Sequence, residues 1–313
     1  MSMNTTQPPL FLIQDYITTG NTFPWNVTSG ELTIVLCCVY IGNTLLGLTV
    51  NILVIWGIWP EVSISLGLPI YAINLLCAAL MQCVILPCGV VYLLHSSAVG
   101  PIGCHILGLI PKVTQRAATM FSMWIFVVRY VAVSQPLNYS TFCKGWVVGS
   151  VSFTLWLTAS IISAVEQGLP RDNGDLCFPD FRFTTEWALL HFIVSFLFSH
   201  LSLIHLCIFA YLISRSVKHS KTVPIEQYQR IRRLLIFVII NFGILFCPMH
   251  FVLQYYNIKL VRGTSNFQIQ ENLKALYQIL FAFNSFSIII APFFYIISTR
   301  RVSTRLKRLI QGR

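Results

Sequence analysis

Seven stretches of this chain are apolar and long enough to cross a lipid bilayer as helices, at about 32–58, 66–94, 105–133, 146–166, 187–214, 231–257 and 272–298. A hydrocarbon core about 30 Å thick takes roughly 20 apolar residues per helix, and backbone groups inside it must satisfy one another. Composition agrees: 56% of residues are hydrophobic and 10% charged, with a mean hydropathy of +0.72, against roughly 45–50% and 25% in soluble domains. The expectation is an all-α membrane protein, a seven-transmembrane helix bundle filling most of 313 residues as one domain. The connections are too short for a soluble domain, and no internal repeat or low-complexity segment is evident. Pro69, Pro87, Pro111, Pro248 and Pro292 fall inside spans, which a bundle tolerates when neighbours satisfy the freed carbonyls.

The basic residues set the expected orientation. The segment before the first span has no Lys or Arg, whereas Arg215, Lys218, Lys221, Arg230, Arg232 and Arg233 lie between the fifth and sixth spans, and Arg300, Arg301, Arg305, Lys307, Arg308 and Arg313 in the tail. The positive-inside rule puts the N-terminus outside the cell and the tail in the cytoplasm. The net charge of +11 then reflects a basic inner face against anionic membrane lipids, and nucleic acid is not expected as a partner. Asn4 and Asn26 begin glycosylation sequons on the outer side, and Asn138 begins one that the topology keeps inside. No short-cored cleavable signal peptide precedes the first span, which is expected to act as its own insertion signal. Most of the ten cysteines lie within spans, but Cys104 begins the third and Cys177 lies in the outer loop, where oxidising conditions would allow a disulfide.

Landmarks along the spans resemble the rhodopsin-like (class A) G-protein-coupled receptors, over essentially all of 32–311. Asn51 stands in TVNILV of the first span and Cys104 at the head of the third. Arg129 and Tyr130 stand in VRYVAVSQPLNY at its other end, Trp156 in the fourth span and Tyr211 at the end of the fifth. FCPMH with Phe246 and Pro248 marks the sixth span, and APFFY with Pro292 and Tyr295 closes the seventh. The basic amphipathic STRRVSTRLKRLI is similar to the family's short eighth helix on the membrane surface. The chain then divides into an extracellular segment 1–31, a receptor domain 32–298, and an eighth helix with tail 299–313. The resemblance implies plasma-membrane localisation, a small-molecule ligand and a heterotrimeric G protein as partners. It also implies that Arg129 contacts the incoming G-protein helix, that Tyr211 and Tyr295 rearrange around it, and that Pro248 bends the sixth span. The alternative is an interface arginine that only anchors its helix, with its stem in the bundle and its head in water.

Departures from the family pattern carry expectations of their own. Val128 stands where the family has an acid paired with the arginine, and Tyr228, two residues from Glu226, stands at the usual acidic position of the sixth span. Losing an ion pair worth about 1 kcal/mol predicts a modestly raised basal activity. Ala79, Ala118 and Ala291 replace the residues that hold a sodium ion, and none of the ten acids lies deep in a span, so no sodium modulation is expected. Phe246 replaces a tryptophan and Leu203 a proline of the switching machinery.

Amine ligands are disfavoured because Pro111 stands where the family uses an Asp. Lys112 and Arg116 lie four apart on one face of the third span, about 12 and 18 Å from Cys104 along the axis. Unpartnered cations at that depth are costly. Their functional reading is an anionic ligand, such as a lipid or organic carboxylate or a phosphate, with His250, Gln254 and Gln278 donating hydrogen bonds. Alternatively, Lys112 snorkels outward while Arg116 satisfies carbonyls in a ligand-free polar core. His250, like His191, His200 and His205, then becomes an ordinary interior histidine. No nucleophile, phosphate loop, redox CxxC or metal-ligand spacing stands out, so neither catalysis nor a metal or cofactor is expected. Two further readings remain open: a seven-helix transporter, for which no half-to-half symmetry is evident, and a receptor-like protein that does not signal. YVAVSQPLNYST also resembles odorant receptors.

Overall fold

The computed structural model describes residues 29–62, 67–95, 99–168, 185–219, 225–263, 267–298 and 304–305. Regular structure among them is helical: α1 Ser29–Val62, α2 Gly67–Leu94, α3 Pro101–Ser134, a short α4 Pro136–Phe142, α5 Gly145–Gln167 and α6 Thr185–His219. Then α7 Ile225–Asn241 runs through a π-helical turn, Phe242–Phe246, into α8 Cys247–Val261, followed by α9 Phe267–Asn284 and α10 Ser287–Ser298. Seven helical stretches among the described residues are long and apolar enough to cross a membrane. They coincide with the seven expected spans, the sixth being α7 with α8 and the seventh α9 with α10. Thr304 and Arg305 are helical beyond them, within the expected eighth helix, and Arg305 Nη1 donates to the Gly57 carbonyl at 3.4 Å.

The spans pack in a ring in which α10 returns to α1 and α3 meets α2, α5 and α6. Large side chains such as Ile34, Leu45, Phe153, Leu201 and Phe251 stay exposed on the outside, as they must where the solvent is lipid. Close approach is visible at Gly47, where a Cβ would come within 2.7 Å of Cys83 Sγ and 2.8 Å of Ile288 Cγ2. Small residues at such crossings let helices pack without a hydrophobic driving force between them.

Two prolines create polar vacancies that first-span residues fill. Proline has no N–H, so the carbonyl four residues earlier loses its helical partner. Pro292 frees the Ile288 carbonyl, and Asn51 Nδ2 donates to it at 3.0 Å while also bonding the Gly47 carbonyl at 2.7 Å. Pro87 frees the Cys83 carbonyl, to which Thr44 Oγ1 donates at 3.4 Å.

The sixth and seventh spans are each interrupted ahead of a proline rather than at it. In the sixth span the irregularity is the π turn ending at Cys247, whose N–H bonds Phe242 five residues back, immediately before Pro248. In the seventh, Pro292 sits inside α10 and the helix breaks at Ser285 and Phe286. There Ser285 Oγ donates to the Ala282 carbonyl at 2.6 Å and accepts from Asn43 Nδ2 at 2.6 Å. Serine hydroxyls compete for helix carbonyls in this way and bend the ladder.

Candidate functional site

A polar cluster occupies one end of the bundle, and α3 supplies its cations. Lys112 and Arg116, one turn apart, reach toward the last turn of α5. Arg116 Nη2 pairs with the Glu166 carboxylate, and Nη1 donates to Ser163 Oγ at 2.7 Å. Lys112 Nζ donates to Gln167 Oε1 at 3.0 Å. Gly108 makes this possible, since a Cβ there would run into the Gln167 amide. The carboxylate continues the chain of contacts: His191 Nε2 of α6 lies 3.9 Å from Glu166 Oε2, and Asn257 of α8 meets His191 Nδ1 at 2.9 Å.

Arg116 is 8% exposed and Glu166 3%, so this is an ion pair inside the bundle. No acid was expected deep in a span, and Glu166 lies at the end of one, but it is buried in the bundle all the same. Glu166 is the second residue from the end of α5, where hydropathy reads a boundary, yet its side chain turns inward to Arg116. It also revises both readings of Arg116, whose positive charge is met by a carboxylate and a hydroxyl of α5. The residue missed from sequence is Glu166, and its signal was Ser163 and Glu166, three apart on one helix face.

α8 brings further candidates to the same region. His250, Gln254 and Asn257 share its inner face at helical spacing. Gln254 Nε2 donates to Ser199 Oγ at 3.0 Å, and His250 Nδ1 lies 3.2 Å from Ser195 Oγ. Phe198 lies under the Arg116 guanidinium at 5.7 Å, and Phe246 packs on Phe198 at 6.2 Å and on His250 at 4.1 Å. Gln278 is half-buried on α9 without a hydrogen bond to the cluster among the described residues. Its neighbour Tyr277 is the α9 group within electrostatic reach of Arg116 and Glu166.

Deeper in the bundle is a cavity of about 80 Å³ that Ala79, Ala118 and Ala291 line together with Gln82, Gln115 and Asn241. Residues of both irregular segments border it, Phe242 and Phe246 from the π turn and Asn284 and Ser287 from the break in the seventh span. Its lining holds no carboxylate.

At the other end of α3, Arg129 is half-buried, and Val128, 1% exposed, is packed in an apolar cluster with Tyr71, Phe121 and Val148. Tyr130 packs edge-on against Phe209 at 5.8 Å. Tyr211 is 63% exposed, on the outer face of α6 and away from the bundle axis. Tyr295 is in α10, but its side chain, like those of Glu226 and Tyr228, lies outside the described residues. So do Asn4, Asn26 and Cys177; Cys104 is not among the eight free cysteines of the described residues.

The family described as 7 transmembrane receptor (rhodopsin family) matches residues 50–295, more than three quarters of the chain, from the residue before Asn51 to Tyr295. Seven membrane-spanning helices, the satisfied Asn51–Ile288 link and this match agree, and the chain belongs to the rhodopsin family of seven-transmembrane receptors.

Proposed function

We propose that this receptor sits in the plasma membrane with its N-terminus outside, glycosylated at Asn4 and Asn26 and tied at its outer mouth by a Cys104–Cys177 disulfide. It transduces an extracellular small-molecule ligand to heterotrimeric G proteins. The supporting observation is that one helix, α3, carries the buried charge cluster near one end and Arg129 near the other. Lys112, Arg116 and Glu166 together keep one net positive charge, which favours a ligand bearing an anionic group. His250 and Gln254 border that cluster and serve as hydrogen-bonding partners, with Gln278 lining the approach from α9.

Coupling runs through Arg129 and Tyr130 at the inner end, with Phe246, Pro248, Pro292, Tyr211 and Tyr295 as the moving parts. Val128, standing where the family has an acid, presses into apolar side chains, and basal signalling is raised relative to a chain that carries an acid at that position.

Basal G-protein activation across the main Gα classes, in cells matched for surface receptor, tests this reading. Wild type is expected to exceed mock-transfected cells and Arg129→Ala to fall to their level. Val128→Asp is expected to lower the signal, and surface matching is essential because the new carboxylate enters an apolar cluster. Silence of all three at equal surface level would replace this reading with that of a receptor-like protein that does not signal.

A further inference from the structure

The Arg116–Glu166 pair leaves part of its bonding capacity unused. Arg116 Nε, Glu166 Oε1, Asn257 Oδ1 and His250 Nε2 are buried and make no hydrogen bond among the described residues. Buried polar atoms are nearly always satisfied, so four orphans around one ion pair call for an explanation. The Asn257 orientation is fixed locally, because its Nδ2 donates to the Leu253 carbonyl at 3.0 Å, which leaves Oδ1 as a true acceptor. The orphans are of both signs. Arg116 Nε is a donor on a cation, Glu166 Oε1 and Asn257 Oδ1 are acceptors, and His250 Nε2 can be either.

We propose that these atoms recognise a zwitterion of the amino-acid type, its carboxylate on Arg116 and Lys112 and its ammonium on Glu166. The proposal rests on the receptor reading above and deepens it by naming the ligand class for the same cluster. A lone carboxylate would meet Arg116 but face the unused oxygen of Glu166 at close range, and a lone amine would face the guanidinium. A molecule carrying both groups satisfies both halves of the pair and leaves the buried charge balance unchanged. The protein's charges are already out of water, so binding exposes neither of them to a new desolvation cost. The wall of Phe198, Phe246 and the His250 ring beside Arg116 offers an apolar, aromatic surface to the ligand's side chain.

The test applies each common amino acid to the full chain beside two counterparts, the same molecule without its amino group and the same molecule without its carboxyl group. G-protein activation in cells and thermal stability of the purified receptor are both read. At least one amino acid is expected to act at concentrations at least tenfold below either counterpart. Glu166→Gln is expected to erase that preference by raising the concentration needed for the amino acid at least tenfold, while the deaminated carboxylate keeps its own response. Equal potency of the deaminated carboxylate would overturn the zwitterion while leaving an anion-binding receptor in place. Equal potency of the decarboxylated amine would overturn both the zwitterion and the anion. If no amino acid shifts thermal stability, the proposal falls even where Arg129-dependent basal signalling shows that the receptor couples. The comparison of the three probes on the unaltered chain decides the matter should Glu166→Gln fail to fold.

Discussion

The buried pair of Arg116 and Glu166 makes the sharpest demand on stability at the level of single side chains. Removing one partner of such a pair strands the other charge, at a cost of about 3–5 kcal/mol, whereas replacing both with apolar residues of similar volume is often close to neutral. Glu166→Ala is therefore expected to lower the melting temperature of the purified receptor sharply, and the double change Arg116→Met with Glu166→Leu to restore most of the loss. Equal damage from the single and double changes would show that the pair holds the fold rather than merely balancing charge. Asn51 shows the opposite case for legibility. The asparagine in the first span and the proline in the last were both legible as landmarks, and the structure joins them, Asn51 Nδ2 bonding the Ile288 carbonyl that Pro292 frees. Glu166 was passed over because hydropathy assigns a terminal acid to the water interface, and packing is what shows that the face it shares with Ser163 turns inward to meet Arg116. The outward face of Tyr211 was not legible either, since position along α6 says little about which way a residue faces when nearly every neighbour is apolar.

Among the elements, the sixth and seventh spans stand apart because each is interrupted beside the same cavity. Pro248 marked the first interruption to within a few residues, while nothing in the sequence reading marked the second, where Ser285 Oγ bonds the Ala282 carbonyl well before Pro292. A π turn rarely persists without a local cause. Pro248→Ala restores an N–H opposite the Ile244 carbonyl, so the turn is expected to relax toward regular α-helix. The expected readout is a ligand- or basal-driven signal reduced at least several-fold at unchanged surface level. A signal equal to wild type would mean that the π turn, fixed by other contacts, does not depend on the proline.

For the molecule as a whole, the sequence dictated the class of fold almost completely, because a membrane admits few solutions to the backbone hydrogen-bond problem. Span boundaries came within a few residues of α1, α2, α3 and α5 for that reason. The interior polar order was not accessible by the same route, as hydropathy averages over both faces of a helix. The mid-bundle cavity carries a further consequence for ions: Ala79, Ala118 and Ala291 face it together and its lining has no carboxylate, so a bare cation gains no charged ligand there. Replacing sodium with choline at constant ionic strength is expected to leave both thermal stability and signalling unchanged, and a stabilisation by sodium would require a cation site elsewhere. The π turn also stands where the elbow of a mechanical arm would stand. Below it α7 extends for 17 residues, about 26 Å at 1.5 Å per residue, so a swing of roughly 20° at the elbow carries its far tip about 9 Å. A swing of that size would leave a gap about as wide as another helix at the end of the bundle that holds Arg129.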